Sequence, residues 1–507
     1  MYKIEYLQSK NSSKTCKING IFLHSAYNPQ SESERFVENI NIGFKPELIF
    51  IIEPALSWCA EPLKKRFPKI KICAIRLLPD FYEYDQLFDY SFYFDEKNLS
   101  SFENEVSSCF TEKELCSAFF LEWIPSKKIF DDKIKILYKS IKNIIEKSKA
   151  SLVTESYFSK RWFKNSIIFN CNIKKTCIFN KGNFPVVICA SGPSLNSSIS
   201  FLKKFRKNYF LIAASSSISV LLNNQIIPDL VLSTDGGFWA KNHLVYDYKK
   251  YNFPVALTCE SAFPKKLIEN ATIFPLVYQD GSGSELTKII FQKLNIPFRE
   301  AQRNGTVSGT LFSLAETLTD SFIFACGLDL ESPAGKQHAE PNRNEISNRK
   351  YFFRLKNAES FNSRSRFNSQ SLKIYNSWFS NLSEELTTKF FRLSDNYPYS
   401  TKLGAIKDVN FDFFEKKLNE CSKNSAVNIQ KIENPEINEN TKTIVRKEIQ
   451  KYINENENND KFLFSIFPSE EVLLKKLTNE TEIMEMNKKI EKRKKEFFIS
   501  LKKVLGD

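Results

Sequence analysis

At 507 residues the chain is too long for one ordinary core, so two or three domains are expected. Hydrophobic residues make up 42% of it, and 46 positions are Phe, which excludes a largely disordered chain. The formal net charge of +14 is spread through Lys-rich sequence with no compact basic motif interleaved with aromatics, so no specific nucleic-acid partner is expected.

The 11 cysteines are scattered singly and include no CxxC. The nearest pairs, Cys109 with Cys116 and Cys171 with Cys177, lack the histidine company of a zinc site, so no metal centre is expected. Several cysteines (Cys73, Cys189, Cys326) lie in apolar runs, the pattern of buried, reduced thiols in a cytoplasmic protein. The start, MYKIEYLQSK, has no signal-peptide apolar core, and no stretch of 18 apolar residues predicts a transmembrane segment.

In chain order, residues 1–127 alternate strand-like and helix-like segments. GIFLHS (20–25), ELIFIIEP (47–54), KIKICAIRL (69–77) and FDYSFYFD (88–95) read as strands, with helices around 31–41 and 58–66. This alternation predicts a small N-terminal α/β domain with a parallel sheet. Residues 128–165 carry Ile134, Leu137, Ile141, Ile144 and Ile145 at helical spacing and read as a helical connector. A larger domain is expected over 166–405. Its strands are IIFNC (167–171), VVICA (186–190), YFLIAAS (209–215), DLVLST (229–234), PVALTC (254–259), TIFPLV (272–277) and FIFACGL (322–328). Continuous apolar runs rather than strict alternation suit strands covered on both faces, hence a Rossmann-like, mostly parallel central sheet. Residues 406–507 turn polar and low in complexity. They close with a long charged helix or hairpin over 470–505, so a C-terminal helical domain is expected, with a possible oligomer through it.

Five constellations carry candidate chemistry. The elbow SGPSLN (191–196) follows a buried strand and opens a helix. There Gly192 permits close approach, Pro193 stiffens the first turn, and Ser194 and Asn196 add polar groups, a phosphate-binding pattern that is weak as a motif and stronger in this context. Ser215 ends the next strand among small residues that leave room for a base or ribose. Asp235, before Gly236-Gly237, stands where ligands of parallel sheets collect; a turn-forming Asp-Gly is the plainer reading. Thr306 and Ser308 open an amphipathic helix as a second anion site or as a simple cap. Asp329 lies at the end of FIFACGLDL and, with His338, is a candidate catalytic residue. His338, one of three histidines in the chain, follows in a polar loop and is the best-placed general base.

The ordered set VVICASGPSLN, IPDLVLSTDGG, NGTVSGTLFSLAETL, FIFACGLDL and KQHAEP resembles the Maf (motility associated factor) family of flagellin glycosyltransferases. The stretches NSWFSNLSEELTTKFFRLSDNYPYSTKLGAI (376–406) and LHSAYNPQSESERF (23–36) resemble that family too, and the likeness covers most of residues 15–410. It implies a sialyltransferase-like central domain and transfer of a pseudaminic- or legionaminic-type nonulosonic acid from a CMP-sugar to Ser or Thr of flagellin, supporting flagellar assembly and motility. No cofactor beyond the donor substrate is implied. Gly192, Pro193, Ser194 and Asn196 would meet the donor phosphate and sugar, Ser215 and Asp235 the cytidine side, and Thr306 and Ser308 the sugar carboxylate or phosphate. His338, downstream of Asp329, would deprotonate the acceptor, and Tyr351 and Tyr375 are candidates for the tyrosines that stabilise the leaving phosphate. The same central pattern also resembles 6-hydroxymethylpterin diphosphokinases, which would make Asp235 and Asp329 Mg²⁺ ligands. A non-catalytic flagellin-binding protein is the third reading.

Overall fold

The computed structural model describes residues 2–331, 336–355, 357–358, 370–380, 382–394, 398, 400–423 and 428–505. The chain is α/β and divides into two units, one of Met1–Ser159 with Leu463–Phe498, the other of Lys160–Phe462 with Ile499–Asp507.

In the first unit, β1 (Ile4–Gln8), β2 (Lys14–Ile18) and β3 (Ile21–Phe22) form a small antiparallel sheet. Of the predicted 20–25 strand only β3 is realised. A parallel sheet follows, made of β4 (Leu48–Ile52), β5 (Lys71–Arg76), β6 (Tyr90–Tyr93) and β7 (Ala118–Glu122) in the order β6-β5-β4-β7. All five residues of β4 are buried, as its uninterrupted LIFII run requires of a central parallel strand. The helix Pro468–Lys476 belongs to this unit, where Lys113–Glu471 at 2.7 Å and Lys475–Glu47 at 2.6 Å hold it.

The helical connector is longer than its pattern suggested. It runs Ile124–Asn172, with one non-helical residue at Phe130. It therefore absorbs IIFNC (167–171), which was expected to be a strand. The physical reason is the period: Phe163, Ile167 and Asn170 are buried at i, i+4 and i+7, one helix face.

In the second unit β8 (Cys177–Phe179) precedes a nine-stranded sheet: β9 (Val186–Cys189), β10 (Phe210–Ala214), β11 (Leu230–Ser233), β12 (Val255–Thr258), β13 (Ile273–Tyr278), β14 (Arg299–Ala301), β15 (Ile323–Cys326), β16 (Phe390–Leu393) and β17 (Lys407–Val409). Its order is β14-β13-β12-β11-β10-β9-β15-β16-β17, and every pairing is parallel. β18 (Lys431–Glu433) pairs antiparallel with β8. The chain winds outward from β9 to β14, then returns to lie beside β9 as β15 and winds the other way. The switch point of this sheet is thus the β9/β15 pair, where a doubly wound sheet opens its crevice at the carboxyl ends. The core on one face joins Val186, Ile188, Ile212, Leu230, Leu232 and Phe274 to Leu311, Leu314 and Leu318 of the helix Val307–Leu318. The C-terminal region is helix-rich: Phe411–Lys423, Glu439–Asn456, Asp460–Ile466 and Pro468–Lys476 precede Glu480–Leu505.

Candidate functional site

Most residues singled out in the sequence lie on the loops that leave the carboxyl ends of β9, β10, β11, β14 and β15 or in the helical turns that follow, whereas Tyr375 is on the helix Gln370–Ser380 and Tyr351 is exposed just after the helix Arg343–Arg349. Parallel strands in one sheet put all those ends on one edge.

At the switch point the elbow closes onto the loop after β15. The Gly192 N–H donates to the Gly327 carbonyl at 2.8 Å, and the Ser194 N–H donates to Asp329 Oδ2 at 2.9 Å. The Ser194 hydroxyl donates to Asp329 Oδ1, and Ser400 Oγ approaches the same oxygen at 3.3 Å. The anion at the start of the helix Leu195–Lys204 is therefore the protein's own carboxylate. Donors read in the sequence as phosphate ligands are engaged within the elbow. Pro193 is buried and Asn196 is exposed on the first turn. Asp329 is 2% exposed, and burial raises its carboxyl above the usual range against these hydrogen bonds and the Arg392 charge. Arg392 donates to the carbonyls of Leu328 and Thr401 at 3.1 and 2.7 Å and forms a bidentate pair with Asp408. It thereby fixes the loop that presents Asp329.

His338 stands in the loop after β15. The Ala339 N–H donates to the Ser191 carbonyl at 2.8 Å, which ties this loop to the elbow. Asn342 Nδ2 donates to the Ser216 carbonyl at 2.9 Å, which ties it to the turn Ser215–Ser217 after β10. The Asn342 side chain also caps the helix Arg343–Arg349, accepting from the N–H groups of Asn344 and Glu345. The first turn of that helix places Glu345 Oε1 2.9 Å from His338 Nδ1. Glu345 was missed in the sequence, although Asn342 followed three residues later by an acid is a recognisable helix start.

The other two histidines are poor bases. Burial pushes His24 down to about 3 in the first unit. It pushes His243 down to about 4, with the charges of His338 and Arg343 adding to the effect. Because the folded state holds His243 neutral, only the unfolded chain takes up a proton as pH falls below about 6.5. The stability that the neutral ring contributes is then lost progressively toward its folded pKa, by about 2 kcal/mol near pH 5. Thermal unfolding of wild type and His243→Gln at neutral and mildly acidic pH is expected to show a shallower acid loss in the variant.

A second group forms around the helix Gln370–Ser380. The exposed Asp235 accepts from the Gly237 N–H at 2.8 Å, a local Asx turn, and its charge helps burial to raise the Tyr375 phenol. Thr306 caps the helix Val307–Leu318, its hydroxyl accepting from the Ser308 N–H at 3.3 Å. A Cβ on Gly309 would come within 3.3 Å of Trp378. Tyr375 and Trp378 are three residues apart on this helix; the first feels the Asp235 charge and the second lies against Gly309.

Further along the same edge lies a cluster that the sequence did not reveal. Arg303 Nη2 meets Glu260 Oε2 at 2.6 Å and its Nε meets Asp280 Oδ1 at 2.9 Å. Its guanidinium lies 4.6 Å from the Trp162 ring centre and 4.2 Å from that of Tyr278. Trp162 in turn packs so closely on Gly236 that a Cβ there would come within 2.7 Å of it. Among the described residues no group of three or more His, Cys, Asp or Glu is placed to hold a metal ion, and no helix is long and apolar enough to cross a membrane.

Residues 160–334 match the model of the 6-hydroxymethylpterin diphosphokinase MptE-like family. An uncharacterized protein of Treponema pallidum (strain Nichols) is 28% identical over 305 residues, covering 59% of this chain and 65% of that protein, so the match spans just under two thirds of the relative's length. The fold is also similar to the structure of a Maf glycosyltransferase from Magnetospirillum magneticum AMB-1. That similarity covers 99% of this chain and 90% of the other, at 10% identity and a TM-score of 0.48.

Proposed function

We propose that the chain is a glycosyltransferase that moves a pseudaminic- or legionaminic-type nonulosonic acid from its CMP-activated form to Ser or Thr hydroxyls of flagellin. The observation that carries this reading is a histidine paired to a buried carboxylate and anchored by two hydrogen bonds beside the switch point of a parallel sheet. Departure of CMP leaves positive charge on the sugar ring and negative charge on the phosphate. The acceptor hydroxyl needs a base working near neutral pH, a task suited to imidazole. In this reading His338 takes the acceptor proton. Asn196, Ser215, Asp235, Thr306 and Ser308 face the donor, Tyr375 meets the leaving phosphate, and Gly192, Pro193, Ser194 and Asp329 shape the elbow that positions them. The resemblance of the ordered motifs to flagellin glycosyltransferases supplies the substrate classes.

A second reading, an Mg²⁺-dependent diphosphokinase, is favoured by the family match over residues 160–334. It requires Asp235 and Asp329 as metal ligands. Asp329 suits that role poorly, since it is buried and both its oxygens already accept hydrogen bonds inside the elbow.

The readings separate by ligand-induced stabilisation. CMP at about 100 times its dissociation constant adds about 2.7 kcal/mol, a shift of several degrees in unfolding temperature. We expect that shift with CMP in the presence of a chelator, and a gain of nonulosonate mass on flagellin incubated with the protein and a CMP-nonulosonate. Stabilisation by ATP with Mg²⁺ alone overturns the transferase reading. Stabilisation by no nucleotide leaves a flagellin-binding role in its place.

A further inference from the structure

Resting on the transferase reading, we propose that Glu345 is a positioning residue that fixes the tautomer and ring orientation of His338, so that Nε2 is the basic nitrogen presented to the acceptor. Glu345 is buried (8% of its side chain exposed), whereas the His338 ring is 27% exposed, so the pair has one sheltered end and one open end. Opposite a carboxylate, which only accepts, the ring proton resides on Nδ1, and the lone pair is left on Nε2. The Nδ1 to Oε1 separation of 2.9 Å is that of a formed hydrogen bond. Glu345 is itself held: its backbone N–H bonds to the Asn342 side chain, whose amide is clamped to the Ser216 carbonyl. The loop carrying His338 is held at Ala339. Both members of the pair are thus fixed to the carboxyl edge independently of each other, which is what a base needs to stay within reach of a reacting atom.

In the transfer step the acceptor O–H proton passes to Nε2 as the acceptor oxygen bonds to the anomeric carbon. The bond from that carbon to the phosphate oxygen breaks, and its electron pair leaves with CMP. The positive charge gained by the ring is then stabilised by Glu345 across Nδ1–H.

The test pairs an activity readout with one that needs no activity. Glu345→Gln, which preserves the side-chain shape, is expected to lower kcat about 100-fold with donor KM nearly unchanged, because the base remains but is no longer held in one tautomer. Glu345→Asp is expected to recover part of the loss. Nitrogen-15 NMR of the histidines in full-length protein, with His338 assigned through His338→Gln, is expected to show the neutral ring as the Nδ1–H tautomer in wild type and as a mixture in Glu345→Gln. A pure Nδ1–H ring retained in folded Glu345→Gln overturns the proposal. So does a parallel rise in KM with unchanged kcat. If wild type transfers no sugar while the tautomer still responds to Glu345, the pairing stands and the transferase reading fails.

Discussion

Gly192→Ala is expected to destabilise the second unit by about 3–5 kcal/mol. The cause is space rather than backbone angle. A Cβ built on Gly192 comes 2.5 Å from Asp329 Oδ2, 2.5 Å from the Gly327 carbonyl oxygen and 2.8 Å from Asp329 Cγ. Neither neighbour yields cheaply. The Gly327 oxygen is backbone and already accepts the Gly192 N–H, and Gly327 itself has φ +66° with the Ala190 carbonyl behind it. The Asp329 carboxylate is held by Ser194 through both N–H and O–H. Making room for the methyl separates Asp329 from Ser194, leaving a buried carboxylate with only the long Ser400 contact and a helix-start N–H without its partner. Overpacking accounts for about 1–3 kcal/mol and the orphaned groups for a similar amount. The control is Gly43→Ala, at a glycine with no atom within 4 Å of the added Cβ. Urea unfolding of both variants decides the matter; equal midpoints would remove the elbow–Asp329 contact from the stability of the fold.

That contact also marks the limit of what the sequence disclosed. The strands VVIC, FLIAA, LVLS, VALT, IFPLVY and IFAC were legible because each is a continuous apolar run, and in the structure each is buried along its whole length. The strands around Arg299–Ala301 and Lys407–Val409 were not, since at the two sheet edges their three-residue runs carry charge and stay partly exposed. Likewise the residue types at the candidate site were visible as small and polar groups at strand ends. Their pairings were not: Ser194 and Asp329 are 135 positions apart, and nothing local at either one signals the other. Glu345 differs, because its seven-residue distance from His338 spans a helix cap that the pattern Asn342–Glu345 does announce.

Arg303→Ala is expected to cost about 3–5 kcal/mol, again in the second unit, because it strands a buried charge. Glu260 is 2% exposed. Its carboxylate is met by Arg303 and, at 3.1 Å, by the Ser284 hydroxyl. Burial already raises the Glu260 carboxyl, and the Arg303 guanidinium is the strongest influence opposing that rise. Truncating Arg303 removes this opposition and both cation–ring contacts. Arg303→Lys is expected to fall nearer to alanine than to wild type, because a single ammonium lacks the guanidinium's fork of donors that meets Glu260 and Asp280 together. The sign of the pH dependence follows from Glu260. In the variant its folded pKa lies above the unfolded value, so the folded state binds the proton more tightly. The penalty is then full above the folded pKa and vanishes as pH falls below the unfolded value of about 4.3. The double variant Arg303→Met with Glu260→Gln is expected to regain much of the loss, since it removes the stranded charge while keeping the volume. Denaturant unfolding across the acid range tests all three variants. A deficit in Arg303→Ala that stays constant down to pH values below that of an ordinary carboxyl would show that lost packing on Trp162 and Tyr278, rather than the Glu260 charge, sets the cost.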